Sequence, residues 1–259
     1  MSHHFGLTIS LIGAGRVASS LAHALLAKGV KINEIYSRKL THAQKLSNEI
    51  PDTTATDSLD FSKSHSDILI IAISDDAISQ VSERILFPKD MLIAHTSGSV
   101  SLDILKHDQS GIFYPLQTFT NDKKVAFTDV PILIDGRNKW VIDQLAALGN
   151  LLSNRVKTTS EDERQRLHVA AVFASNFTNR MLAAASDILE ETSIDLESLA
   201  PLVLESIQNA FESGPEKALT GPAKRGDVET VKKHLNLLIE KPALKEMYEM
   251  ITRGITSKI

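Results

Sequence analysis

The chain has 259 residues, with 28 basic and 32 acidic side chains, nine histidines and no cysteine. At roughly 150 residues per domain this is one large domain or two modest ones. Apolar residues make up 42% and charged residues 23%, enough to bury a core and too apolar for a disordered chain. A formal charge of -4 argues against a general nucleic-acid binder. The lack of cysteine excludes disulfides, thiolate metal sites and a cysteine nucleophile. No apolar run approaches the roughly 18 residues of a membrane span, the purest being residues 68–73. The opening Met1-Ser2-His3-His4 has no basic leader segment, so the expected compartment is the cytoplasm.

In chain order, residues 7–12 read as a strand and 17–27 as a helix, with Val17, Leu21, Ala24, Leu25 and Lys28 at helical spacing. Residues 32–36 are the second strand and 41–49 the second helix. Residues 67–73 form a near-continuous apolar strand, the pattern of a strand buried on both faces. Further strands are expected at 91–94, 112–114, 131–134 and 155–157, with a helix at 140–152. This alternation predicts an α/β domain over residues 1–157, a Rossmann-type doubly wound and mostly parallel sheet.

After Thr158 the strand signals stop. Ser160 and Glu163 form a capping box that opens a helix running to about residue 191. Its middle, residues 169–174, is apolar all round and should lie inside a bundle. Three more helices are expected at 196–212, 228–240 and 243–255, making residues 158–259 an all-α domain.

Gly13-Ala14-Gly15-Arg16-Val17-Ala18 is a G-x-G-x-x-A turn between a strand and a helix. The first glycine permits the tight turn, the second leaves room for a diphosphate, and Ala18 lets helix and strand pack closely. The helix N-terminus offers free N–H groups and a partial positive charge. Gly13, Ala14, Gly15, Arg16 and Val17 are therefore candidate dinucleotide contacts. A second strand ending in Asp or Glu would hold the ribose of NAD; here it ends Tyr36-Ser37-Arg38-Lys39. A hydroxyl and two cations suit the extra phosphate of NADP, so Ser37, Arg38 and Lys39 join the candidates. The carboxyl ends of later strands face the ligand in such sheets, which adds Ile73, Ser74, Ala77, Thr96 and Ser97. Asp75 or Asp76 reads as a helix N-cap.

Hydride transfer to a carbonyl or imine needs a proton donor or a fixed hydrogen bond to the developing anion. Histidine titrates near neutral pH, so His168, on the apolar long helix, is the leading donor; a structural histidine bridging helices is the competing reading. At about 100° per residue, Ser175 and Asn179 fall within about 20° of its direction, and Asn176 is offset by about 80°. Tyr114, Gln117 and Thr118 follow a strand end and are candidate substrate-facing residues, and Arg225 could grip a carboxylate or phosphate. The histidines show no metal-ligand spacing, so no metal is predicted.

Several segments stand in a telling order: Gly13-Ala14-Gly15, Tyr36-Ser37-Arg38, His95-Thr96-Ser97-Gly98, Tyr114-Pro115-Leu116-Gln117-Thr118-Phe119, His168 through Ser175-Asn176, and Leu219-Thr220-Gly221-Pro222 with Arg225-Gly226-Asp227. Over nearly its whole length the chain resembles the Rossmann-like proteins carrying domain-of-unknown-function 2520, often designated NADP oxidoreductases. That resemblance implies an NADP-binding domain followed by a helical dimerisation domain, a homodimer built through the C-terminal helices, and a small-molecule substrate in a cleft between domains. It also brings His168, Asn176 and Tyr114 forward as catalytic candidates. Two departures stand out. The wider group's β-hydroxyacid dehydrogenases use a Lys four residues before an Asn on the long helix, where this chain has Val172 before Asn176. Tyr114-Pro115 stands where much of the family has His-Pro. These departures leave a non-catalytic NADP-binding sensor or scaffold dimer as the rival reading, with electron exchange with a deazaflavin coenzyme as a third.

Overall fold

A computed structural model describes residues 6–120 and 125–257; the leader reading at residues 1–4 lies outside them. The chain divides by packing into Met1–Ala174 and Ser175–Ile259.

The first unit is built on one eight-stranded sheet in the order β3-β2-β1-β4-β5-β6-β7-β8. Its strands are β1 (Thr8–Ile12), β2 (Lys31–Tyr36), β3 (Thr54–Thr56), β4 (Ile68–Ile71), β5 (Leu92–His95), β6 (Ser110–Pro115), β7 (Ile132–Gly136) and β8 (Val156–Thr158). All neighbours pair in parallel except β6 and β7. The order 3-2-1-4-5-6 is that of a doubly wound dinucleotide fold, with its switch point between β1 and β4. The edge strand β3 was not expected; its Thr-Ala-Thr carries no apolar run.

Alternation along the central strands sends side chains to two cores. Ile9, Leu11, Ile68 and Ile70 pack on one face with α1 (Arg16–Leu26) and α2 (Leu40–Ser47). Ile12, Leu69, Ile71 and Ile93 pack on the other with Ile78 of α3 (Asp75–Ser82). α1 buries Ala18, Leu21, Ala22 and Leu25, spaced i, i+3, i+4, i+7. α4 (Lys139–Leu152) is capped by Asn138, whose side-chain oxygen accepts from the Val141 N–H at 3.0 Å. Ser10, fully buried in β1, is satisfied by Ser66 at 2.8 Å and Glu34 at 3.0 Å.

The capping box opens α5 (Glu161–Ala171) as the sequence implied, with Ser160 N–H donating to Glu163 at 2.9 Å. The sequence reading changes domain at 157/158, where the strands end; the packing division comes after α5, because that helix lies on the sheet's loops. The expected single helix over 160–191 is interrupted by a π-helical turn, Val172–Phe177, before α6 (Thr178–Leu189).

The second unit continues with α7 (Ala200–Ser213), the one-turn helices α8 (Pro215–Ala218) and α9 (Pro222–Arg225), α10 (Val228–Leu237) and α11 (Pro242–Thr256). Among the described residues its buried apolar cluster holds only Ala184, Leu238 and Leu244, with Met247 and Tyr248 against it. α7 buries none of its residues. The apolar stretch 169–174, expected inside a bundle, is not enclosed within this chain: Val169 is 57% and Phe173 65% exposed. Among the described residues, no helix is long and apolar enough to cross a membrane.

Candidate active site

Register places the site. Ile12, Tyr36, Ile71, His95 and Ile112 stand in one row across β1, β2, β4, β5 and β6. The segments that follow them, beginning at Gly13, Ser37, Ala72 and Thr96, therefore emerge at the same edge of the sheet.

At that edge Gly13 has φ +124°, and a Cβ there would meet the Ala72 carbonyl oxygen at 2.2 Å. Only glycine satisfies both the backbone and the neighbour. Gly15 is different: a Cβ on it would find nothing within 4 Å. It is the N-cap of α1, with no side-chain cap and no acid in the first turn. Arg16 stands instead at the helix's positive end, the unfavourable sign unless an anion lies there. Open space, uncapped N–H groups and a cation together fit a diphosphate. Ala14 and Val17 pack on the core, so they would offer backbone.

Beside the turn, the Ser37 N–H is bonded to Thr56 O at 3.0 Å, while Arg38 and Lys39 are exposed. Among the described residues, none of Arg16, Arg38 and Lys39 has an ion-pair partner. Ser74 is the exposed N-cap of α3, Ala77 is half-buried behind it, and Ile73 packs against the second core. Asp75 is not the N-cap but the first helical residue, and it accepts a hydrogen bond from Ser99 Oγ at 2.5 Å. Thr96 is half-buried. Ser97 is buried, and its hydroxyl accepts from the N–H groups of Ser99 (3.1 Å) and Val100 (3.0 Å), so it organises its own loop.

The same loop carries Gly98, where a Cβ would lie 2.7 Å from both His168 Nδ1 and Tyr114 Cζ. Tyr114 and His168 meet above it, with the phenol oxygen 2.9 Å from Nδ1 and the rings edge to face at 5.8 Å. Burial pushes the Tyr114 pKa up to about 12, with the Asp75 carboxylate adding to the effect. The phenol stays protonated. Below the loop His95 is fully buried. Desolvation holds its pKa down at about 4; Ser97 N–H donates to its Nδ1 at 3.2 Å and its Nε2 faces Ser101 O at 3.4 Å.

A protein from Bacteroides fragilis that carries the provisional designation NADP oxidoreductase is 32% identical, over 97% of this chain and 98% of its own, with a TM-score of 0.87. The chain belongs to the NADP oxidoreductases that carry domain-of-unknown-function 2520. Residues 130–255 match that domain, and residues 8–98 match the family described as "NADP oxidoreductase coenzyme F420-dependent". A Thermotoga maritima protein shares the fold at 21% identity and a TM-score of 0.71, over 96% of this chain and 97% of its own. A reductive aminase from Aspergillus terreus, solved with NADPH and ethyl-5-oxohexanoate, does so at 11% identity and a TM-score of 0.72, over 97% and 94%. No protein with a curated function matches the chain.

In this family member the remaining candidates are surface residues. Gln117 and Thr118 are exposed beyond β6, with Gln117 Oε1 accepting from the Thr118 N–H at 2.7 Å. Arg225 is exposed at the end of α9, and Asn176 is exposed in the π turn; both belong to the second unit. The directions drawn from His168 to Ser175, Asn176 and Asn179 do not hold. The π turn bonds i to i+5 rather than i to i+4, so a uniform 100° per residue fails past Val172. Sequence reasoning passed over Asp75 as a pair neighbour, Ser99, Gly98's close approach and the buried Arg164. Of these only Gly98, beside three hydroxyl residues at a strand end, left a signal.

A cavity of about 830 Å3 opens at the other end of the sheet, near Leu7, Asp67 and Met91, with Trp140 and Gln144 of α4 in its wall. It contains none of the candidate residues. Among the described residues, no cluster of three or more His, Asp or Glu is arranged to hold a metal.

Proposed function

We propose that this protein is an NADP(H)-dependent oxidoreductase that moves a hydride to or from a small polar carbonyl or imine, with the Tyr114–His168 pair as proton donor. NADP supplies or takes up the hydride at its nicotinamide ring. The chain's own contribution begins with holding the cofactor. Amides of residues 13–17 would take the diphosphate, Ser37, Arg38 and Lys39 the 2′-phosphate, and the ends of β4 and β5 the nicotinamide half. The fit rests on the open, uncapped α1 N-terminus at Gly15.

The observation that carries the reading is the Tyr114–His168 hydrogen bond at the strand end. In the tautomer that suits this role, the protonated phenol donates to Nδ1 and the imidazole proton sits on Nε2. Nε2–H is then the donor for the substrate atom that gains negative charge. This arrangement needs no lysine at position 172. Gln117, Thr118, Arg225 and Asn176 are assigned to substrate contact.

The exposed apolar faces support a homodimer through the C-terminal helices. Leu202, Leu204, Ile207 and Phe211 of α7 are between 41% and 89% exposed. A unit of this size with three buried apolar residues among those described is too poorly covered to stand alone. A second copy of the same unit supplies matching surface.

The test is a panel of 2-oxo acids, imines and hydroxy acids, followed at the nicotinamide absorbance band, with the wild type and His168→Ala. Turnover on one class, lost in His168→Ala while NADPH still binds, is the expected result. Silence across the panel with NADPH bound would replace this reading by that of a sensor.

A further inference from the structure

The face of α5 that carries His168 is read against one loop, residue by residue. Glu161 accepts from Ser101 Oγ at 2.8 Å, Arg164 donates to Val100 O at 2.9 Å, and Gln165 donates to Ser99 O at 3.2 Å. His168 then meets the Gly98 backbone and Tyr114. Helix positions i, i+3, i+4 and i+7 thus run antiparallel to loop positions 101, 100, 99 and 98.

Arg164 differs from the other members of this face, since it is fully buried. Its guanidinium also reaches Asp135 on β7, at 3.5 Å. β6, the strand that bears Tyr114, lies between β5 and β7. Arg164 therefore ties α5 to the segment after β5 and to β7, with the tyrosine's strand held between the two anchors. Burying a guanidinium costs several kcal/mol unless well compensated, and an apolar side chain would pack a helix on a sheet more cheaply. The compensation here is incomplete, because Arg164 Nε is buried with no protein acceptor. A costly group kept at this place is explained by the geometry it imposes.

We infer that Arg164 is a positioning residue that sets the register of α5 on the 98–101 loop and so brings His168 Nδ1 to the Tyr114 hydroxyl. It touches neither substrate nor cofactor. The inference rests on the proposed role of the pair for its functional meaning, but the clamp itself can be measured without turnover.

The experiment uses full-length protein labelled with 15N-histidine, with the His168 ring resonances identified by their loss in His168→Gln. Tyr114→Phe sets the scale, since it removes the phenol from Nδ1. In Arg164→Lys, which keeps the charge but loses the planar fork, the Nδ1 signal should move in the same direction by at least about half of that change. Asp135→Asn, a milder change at a partly buried partner, should move it less but in the same direction. NADPH affinity should stay within about twofold in both. A wild-type His168 signal in the folded Arg164→Lys protein would overturn the clamp. Should that variant fail to fold, an unchanged signal in Asp135→Asn would overturn it, and a shifted one would uphold it. If His168→Ala turns substrate over normally, the catalytic reading falls instead, whatever the nitrogen signals show.

Discussion

Tyr114 and His168 are 54 positions apart in the chain and 2.9 Å apart in space, and the absence of a side chain at Gly98 is what lets them meet. The contact brings together a strand end, the last turn of α5 and the loop that follows β5.

The two turn glycines should separate folding from binding. Gly13→Ala places a Cβ against the Ala72 carbonyl in a left-handed backbone, and should cost about 3 kcal/mol of stability. Gly15→Ala adds a Cβ in open space, and should change stability by no more than about 1 kcal/mol. NADPH affinity should nevertheless fall about tenfold or more in Gly15→Ala, because the methyl occupies the diphosphate's place. Denaturant melts and fluorescence titration measure the two quantities; a Gly15→Ala protein that binds normally removes the diphosphate from this turn.

Arg38 is assigned to discrimination between the two nicotinamide cofactors. Arg38→Ala should weaken NADPH by about 1.5–3 kcal/mol, the range for a hydrogen bond to a charged group, and leave NADH nearly unchanged. Equal losses for both cofactors would mean that Arg38 does not contact the 2′-phosphate.

His95 predicts a specific acid sensitivity. Its folded pKa is depressed, from 6.5 to about 4, because burial disfavours the imidazolium. The unfolded chain therefore binds the proton first as pH falls. The stabilising contribution is complete above about pH 6.5 and is lost as pH falls towards 4, by roughly 3 kcal/mol in all. His95→Gln should flatten that part of the stability profile in urea melts at stepped pH. A slope identical to wild type would show that other groups carry the acid loss.

Phe211, 89% exposed on α7, tests the dimer. Phe211→Glu puts a charge into the proposed helix interface and should shift the protein from dimer to monomer in sedimentation. A wild type that is monomeric at micromolar concentration would remove the homodimer.

Much of the nucleotide side was legible from local pattern. A strand, two glycines and an amphipathic helix are contiguous, and their physics is short-range: a positive φ, a close backbone approach and a row of free N–H groups. The absent acid after β2 is likewise a local fact. The Tyr114–His168 side was only half legible. His168 and Tyr114 could each be named, but their contact depends on a parallel β5–β6 pairing and on α5 lying over the sheet. The π turn at Val172–Phe177 defeated helical-angle reckoning, because one changed bonding pattern redirects every later side chain.

The amino-acid sequence alone determined the strand–helix alternation, the glycine turn before α1, the basic end of β2 and the change to an all-helical C-terminal region. Each follows from residues within a few positions of one another. Tertiary structure alone decided that Tyr114 meets His168, that Asp75 turns to Ser99, and that Arg164 of α5 is buried. Those are contacts between distant segments, and they exist only once the sheet order and the burial it creates have brought the segments together.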